Sequence, residues 1–263
     1  MPINSFNTQF IGRQFLHYPV CDSTNAVVMQ KLATPQSEHS LENGAIVMAD
    51  FQTAGRGQRD ARWTASPGLN LTFTIALLPN LPVQQQFYLN IITTLAISDS
   101  LKPQLGESLS EQPSRRLKIK WPNDLYYDDH KLCGILIQNN LKVNMIQSCA
   151  IGIGLNVNQL HFDGVQATSL KTITKSSWDR YATLKEIALH FEERYFQLKA
   201  MELTQLKKEY LAQLYWYNTF HSFQDKDGVF QGRIIDVLEG GELLVEREAI
   251  VKQYQLKEIT YLY

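Results

Sequence analysis

Residues 70–77 alternate without a break. Leu71, Phe73, Ile75 and Leu77 fall on one face of an extended chain, and Asn70, Thr72, Thr74 and Ala76 on the other. Successive strand side chains point to opposite faces, so this period of two predicts a half-buried antiparallel strand. A chain that carries it must build a sheet with at least one covered face. Neighbouring stretches supply partners. Residues 45–51 read as a strand centred on Ile46, Val47 and Met48, and 118–121, 132–138 and 145–157 read as three more. Helical patterns lie between and after them. One runs over 26–33, behind Ser23-Thr24-Asn25. A second runs over 84–101, with Phe87, Ile91, Leu95 and Leu101 near helical spacing. Thr183 and Glu186 form a capping box before Leu184, Ile187, Phe191, Tyr195 and Leu198, and 202–216 repeats the spacing. A polar linker, 102–114, is expected to be exposed. From about His221 the pattern changes to short strands at 228–238, 242–247 and 250–256, parted by Asp227-Gly228 and Gly240-Gly241. The expected class is α+β: a mixed β-sheet flanked by helices in residues 1–218, and a small C-terminal β-barrel in 219–263.

Bulk properties remove several function classes. The 263 residues are 44% hydrophobic, enough for a sizeable core. Lys+Arg number 25 against 26 Asp+Glu, without the basic excess of a non-specific nucleic-acid binder. Cys21, Cys133 and Cys149 are odd in number and lack metal spacing, so they read as reduced thiols, the latter two as core filler. The six histidines form no ligand pattern, and no structural metal is expected. No signal peptide is apparent, and no run nears the ~20 apolar residues of a membrane span. A cytoplasmic protein without a membrane partner is expected.

Two stretches carry chemistry. Residues 52–63 read Gln52-Thr-Ala-Gly-Arg-Gly-Gln-Arg-Asp-Ala-Arg-Trp63. Gly55 and Gly57 lack Cβ and are expected to give the backbone unusual freedom. Arg56, Arg59 and Arg62 place three guanidinium forks in one loop, each suited to phosphate or carboxylate oxygens. Trp63 adds an aromatic plate. Such a loop can close over a charged small molecule, or be a surface loop with scattered charge. The second stretch is 118–138. Trp121-Pro122-Asn123-Asp124 is followed by Lys131 and then Gly134. A hairpin explains the Asn and Asp, but not the spaced Lys and Gly. Gly152 and Gly154 are poor strand residues and suggest close approach of a ligand or another backbone. They lack the third glycine and the helix of a dinucleotide fingerprint. Ser23 or Thr24 can cap the first helix, or join Asn25 in binding a polar ligand group.

Together the two stretches resemble the biotin protein ligases. The family's GRGRxGRxW loop appears as Gly55-Arg56-Gly57-Gln58-Arg59-Asp60-Ala61-Arg62-Trp63, and its KWPND…KxxGIL block runs from Lys120 to Leu136 without departure. Ser-Thr-Asn and the Gly-x-Gly-x-Asn strand fall in the family's order. The resemblance implies a class II synthetase-like catalytic domain with an SH3-like C-terminal barrel. It implies ATP and biotin as substrates with Mg2+, and an apo biotin carboxyl carrier protein as partner. Biotin carboxylate would attack the α-phosphate of ATP, giving biotinyl-5′-AMP and pyrophosphate, and a carrier lysine would then take the biotin. Arg56 and Lys131 are the implied catalytic cations. Asp124 would orient or deprotonate the lysine, or merely close the turn. Biotin contacts are implied at Ser23, Thr24, Asn25, Gln52, Gly55, Arg56, Gly57, Gln58, Trp63, Lys131 and Gly134. Nucleotide contacts are implied at Arg59, Arg62, Asn123 and Asn156. Gln58 and Asp60-Ala61 depart from the family's Arg and Gly-Arg. About twenty residues precede Ser23, too few for the DNA-binding winged helix of some members, so no DNA partner is expected. A homodimer is left open. The rivals are a lipoate or other acyl-protein ligase on the same scaffold, and a binding module without turnover.

Overall fold

The computed structural model describes residues 6–34, 40–58, 61–106 and 117–263. Its main sheet has eight strands: β1 (Phe15–Cys21), β2 (Ile46–Gln52), β3 (Leu71–Leu77), β4 (Leu81–Pro82), β5 (Leu117–Lys120), β6 (Asp124–Tyr127), β7 (His130–Lys142) and β8 (Met145–Leu155). They lie in the order β1-β2-β3-β8-β7-β6-β5, with β4 paired to β8. β1 and β2 are parallel and the other pairs antiparallel, which is the mixed sheet expected. A parallel pair needs a crossover, and α1 (Thr24–Leu32) lies in it.

The alternation of β3 is read correctly in register but not in burial. All seven of its residues are buried. Leu71, Phe73, Ile75 and Leu77 join the main core with Leu89, Ile92, Leu95 and Phe191. These come from α2 (Phe87–Leu101) and α4 (Arg180–Lys199). The opposite face is covered by α1, where Val28 packs on Val47, Ala76 and Ala150. Polar residues on this face are therefore buried against the start of α1, not solvated. α2 starts later than expected, because Val83–Gln85 forms a 3-10 turn. Thirteen of its fifteen residues are buried, so it is a core helix and not an amphipathic one.

α4 corrects another expectation. Its N-cap is Asp179, whose carboxylate accepts the Tyr181 and Ala182 amides at 2.8 and 3.1 Å. Thr183 lies inside the first turn and donates its hydroxyl to the Asp179 carbonyl at 2.8 Å. An anionic acceptor at a helix N-terminus complements the macrodipole, so the aspartate takes the cap. After α3 (Leu170–Thr174), α4 and α5 (Leu203–Gln213) come β9 (Phe220–Asp225), β10 (Gly228–Val237), β11 (Leu243–Arg247), β12 (Ile250–Tyr254) and β13 (Thr260–Tyr261). These form an antiparallel sheet in the order β12-β11-β10-β9-β13. It docks on the main sheet and on α5: Trp121 Nε1 donates to the Gly241 carbonyl at 2.8 Å, and Lys207 of α5 pairs with Asp236 at 2.9 Å. Phe223, Ile234 and Leu243 belong to the same core cluster as β3. Among the described residues no helix is long and apolar enough to cross a membrane.

Candidate active site

A cavity of about 260 Å³ opens where α1 starts, between the 55–63 loop and strands β3, β7 and β8. Its inner end is neutral and hydrogen-bonding. Ser23 sits at the N-cap of α1 with no side-chain capping bond, so helix punctuation does not use its hydroxyl. The Thr24 amide donates to Gln52 Oε1 at 2.7 Å. Thr74 Oγ1 lies 2.7 Å from both Thr24 Oγ1 and Asn25 Oδ1. Thr74 has one proton; giving it to Asn25 leaves its oxygen to accept from Thr24. The Asn25 amide group donates to the Leu136 carbonyl and to Gln138 Oε1, both at 3.1 Å. Asn25 lines the cavity, but its hydrogen bonds are committed to the scaffold.

The two strand glycines make room for side chains rather than for another backbone. A Cβ on Gly152 would lie 2.1 Å from Asn25 Oδ1, and one on Gly154 would lie 2.4 Å from the Trp63 ring. Gly55 and Gly57 are also corrected in their reason, since neither has the positive φ that glycine alone tolerates well. A Cβ on Gly55 would strike the Trp63 carbonyl at 2.3 Å. Trp63 N–H donates to the Gly55 carbonyl at 3.1 Å, and Gly57 N–H to Ala61 at 2.7 Å. Arg56 and Arg62 are antiparallel bridge partners, and both line the cavity.

The outer part of the cavity is cationic. Lys131 Nζ and Asp124 Oδ2 are 2.7 Å apart, both partly exposed. Gly134 stands beside them, with a Cβ position 3.2 Å from Lys131 Cε. Asn123 braces the strand before them: Ile135 N–H donates to its carbonyl at 3.2 Å, and its side-chain amide donates to the Ile135 carbonyl. Lys120, at the start of the same block, turns away from the cavity. Its Nζ lies over the rings of Tyr126, Tyr261 and Tyr263 at 4.6, 4.9 and 4.9 Å. Burial lowers its pKa to about 8, with Asp124 acting in the opposite direction. The Cys133 thiol is pushed up by burial, and Cys149 up to about 12, so both are protonated core residues.

Ser23, Thr24, Asn25, Gln52, Arg56, Gly57, Gln58, Arg62, Trp63, Asn123, Asp124, Lys131 and Gly134 all line the cavity. Gly55 packs behind the lining, against the Trp63 carbonyl. Asn156 is buried behind Lys131, donating to its carbonyl at 3.4 Å. Arg59 lies outside the described residues. Thr72 and Lys257 also line the cavity and were not among the expected site residues. The polar face of β3 was the available signal for Thr72; nothing in the sequence brings Lys257 near.

The family model of the biotin/lipoate A/B protein ligases matches residues 18–156, over half of the chain. That span contains every described lining residue except Lys257. The chain belongs to the biotin/lipoate A/B protein ligase family. Among relatives of this ligase, the bifunctional ligase/repressor BirA of Bacillus subtilis is 29% identical over 253 residues, covering 94% of this chain and 74% of its own. The biotin–[acetyl-CoA-carboxylase] ligase of Paracoccus denitrificans is 36% identical over 136 residues, 52% of this chain and 51% of its own. The biotin protein ligase of Aquifex aeolicus, solved with biotin and ATP, has the same fold: TM-score 0.73 at 24% identity, over 94% of this ligase and 98% of that chain.

Proposed function

We propose that the chain is an ATP-dependent biotin ligase. It activates biotin as biotinyl-5′-AMP with release of pyrophosphate, then transfers biotin to a lysine of an apo biotin carboxyl carrier protein. The observation that carries this is the split cavity. Neutral donors and acceptors (Ser23, Thr24, Gln52) line its inner end and cations (Arg56, Arg62, Lys131) its mouth. Biotin is split in the same way, with a neutral ureido ring at one end and a carboxylate at the other. Joining that carboxylate to a phosphate brings two anions together. Lys131 as a point charge and Arg56 as a fork offset their repulsion. Trp63, held against Gly154, excludes water from the mixed anhydride. Asp124 holds Lys131 at 2.7 Å, which supports a role in positioning the Lys131 ammonium; acting on the incoming carrier lysine and closing the turn remain its two other proposed roles. The described residues group no three His, Cys, Asp or Glu side chains as a metal site. Magnesium, which the resemblance implies, would bind the nucleotide's phosphate oxygens and neutralise the leaving pyrophosphate.

A pyrophosphate-release assay with ATP and magnesium tests the reading, comparing biotin with lipoate. Biotin-dependent release, followed by labelling of one lysine on an apo carrier domain, is the expected result. Release with lipoate alone would overturn it, and absence of release would leave a binding module. Lys131→Ala should cut adenylate formation at least about a hundredfold, the scale of losing a preorganised charge at a developing oxyanion.

A further inference from the structure

We propose that Arg180 is a positioning residue for the loop that carries Trp63. Its guanidinium fixes the far end of that loop, and with it the seal over the adenylate, without touching a ligand. This rests on the reading of the cavity as a biotin-adenylating site. The loop has two bases. At the near one, Thr53 N–H donates to the Cys21 carbonyl at 3.0 Å and Ala54 N–H to the Asp22 carbonyl at 2.9 Å. The far one is the return path from Trp63 to β3, residues 66–70. Gly68 N–H donates to the Asp50 carbonyl at 3.0 Å. Ser66 N–H and the Asn70 side-chain amide both donate to Gln159 Oε1, at 2.9 and 2.6 Å. Arg180, the first residue of α4, closes this base. Its Nη1 donates to the Asn70 carbonyl at 3.2 Å, and its Nη2 stands 2.9 Å from Asp50 Oδ1. That oxygen is buried and no hydrogen bond among the described residues reaches it, so the guanidinium charge is what offsets its burial. His17 lies 2.9 Å from the other oxygen of Asp50.

The place of this cluster gives it leverage. Asp50 lies on β2 two residues before Gln52, and Asn70 directly precedes β3. One guanidinium therefore links the strand that enters the loop to the strand that leaves it. None of Asp50, Asn70, Gln159 and Arg180 lines the cavity, whereas Gln52 and Trp63, at the two ends of the loop, both do. Trp63 has little of its own to fix it. Its ring rests on Gly154, and its indole nitrogen has no partner among the described residues. The backbone on either side sets its place: its own amide bonded to Gly55, and the 66–70 return. The return needs a fork, because two separate acceptors, on Asp50 and Asn70, are served by one side chain. A seal held this way loses the mixed anhydride to water when the fork is removed.

The test follows pyrophosphate over time with the full chain, ATP, magnesium and biotin, but no carrier. An enzyme that retains its adenylate gives a burst and then a slow steady phase set by loss of biotinyl-5′-AMP. Arg180→Ala is expected to keep the burst amplitude and raise the steady phase about tenfold, the scale of one hydrogen bond to a charged group. Arg180→Lys should recover part of that, since an ammonium keeps the charge without the fork. Asp50→Asn should leak as well, and adding Arg180→Ala to it should cost less than in wild type. Steady phases equal to wild type in every variant, whatever their thermal midpoints, would overturn the proposal and leave a purely structural ion pair. Fully additive effects of the two substitutions would overturn it too, and so would loss of the burst in a folded variant, which would place Arg180 in the chemistry. Wild type without a biotin-dependent burst would instead refute the adenylation reading. Arg180→Lys and Asp50→Asn carry the test if Arg180→Ala does not fold.

Discussion

Single positions in this site are set by what a methyl group would strike. Gly154 is the sharpest case, because Trp63 lies flat where its Cβ would be. Gly154→Ala cannot be absorbed by the sheet, since β8 is paired on both sides, to β3 and β7. Trp63 must move instead. Its indole nitrogen is buried without a partner among the described residues, so the ring's environment is already sensitive to position. The variant is expected to fold, shift its tryptophan emission, and weaken biotin binding tenfold or more by titration calorimetry. Unchanged affinity would show that Trp63 does not close the cavity. Gly152→Ala acts through Asn25, breaking its bonds to Thr74, Leu136 and Gln138. It should cost about 1–3 kcal/mol of stability by urea denaturation, because a buried amide loses its partners.

Elements were legible to the extent that their causes are local. The period of two in β3 and the strands of the Lys120–Leu136 block use neighbouring residues, and each appears where the sequence places it. What was not legible depends on partners far along the chain. Gly152 and Gly154 announced a close approach, but the approaching groups come from positions 25 and 63. The cap of α4 was misplaced by a stronger acceptor four residues earlier. Glu192, inside α4, gave no signal at all. It is buried, and its carboxylate accepts the amides of Gln9, Phe10 and Ile11 at 2.7, 2.8 and 3.1 Å. This ties the segment before β1 to a helix about 180 residues away. Glu192→Ala leaves those amides without an acceptor, and chemical denaturation should register a loss of about 2–4 kcal/mol. A loss below ~0.5 kcal/mol would mean that water replaces the carboxylate.

Across the whole molecule, the sequence divides residues 1–218 from 219–263, while the buried side chains do not. Phe223, Ile234 and Leu243 share a cluster with Phe73 and Phe191, and Trp121 of the main sheet donates to Gly241 of the smaller one. We propose that the two parts unfold as one unit. Asp225 offers a way to perturb only the C-terminal part. Its carboxylate accepts from Lys252 at 2.7 Å, from Tyr254 at 2.9 Å and from the Asp227 amide at 2.8 Å. These bonds, Lys252 first, lower its pKa from 3.8 to about 2 against the opposing effect of burial. A depressed carboxylate stabilises the fold above its unfolded pKa and loses that contribution as pH falls through its folded one. Asp225 therefore stabilises fully above pH 3.8, and progressively less down to about 2. The stability gap between wild type and Asp225→Asn should stay constant above pH 5 and narrow between those two values. If the sheets unfold together, the fluorescence of Trp63, kept as the single tryptophan by replacing Trp121, Trp178 and Trp216 with phenylalanine, should follow the same narrowing. A Trp63 transition that ignores the Asp225 substitution, while far-ultraviolet dichroism follows it, would establish two separately melting domains. It would also predict that Lys257 can leave the cavity without the main sheet unfolding.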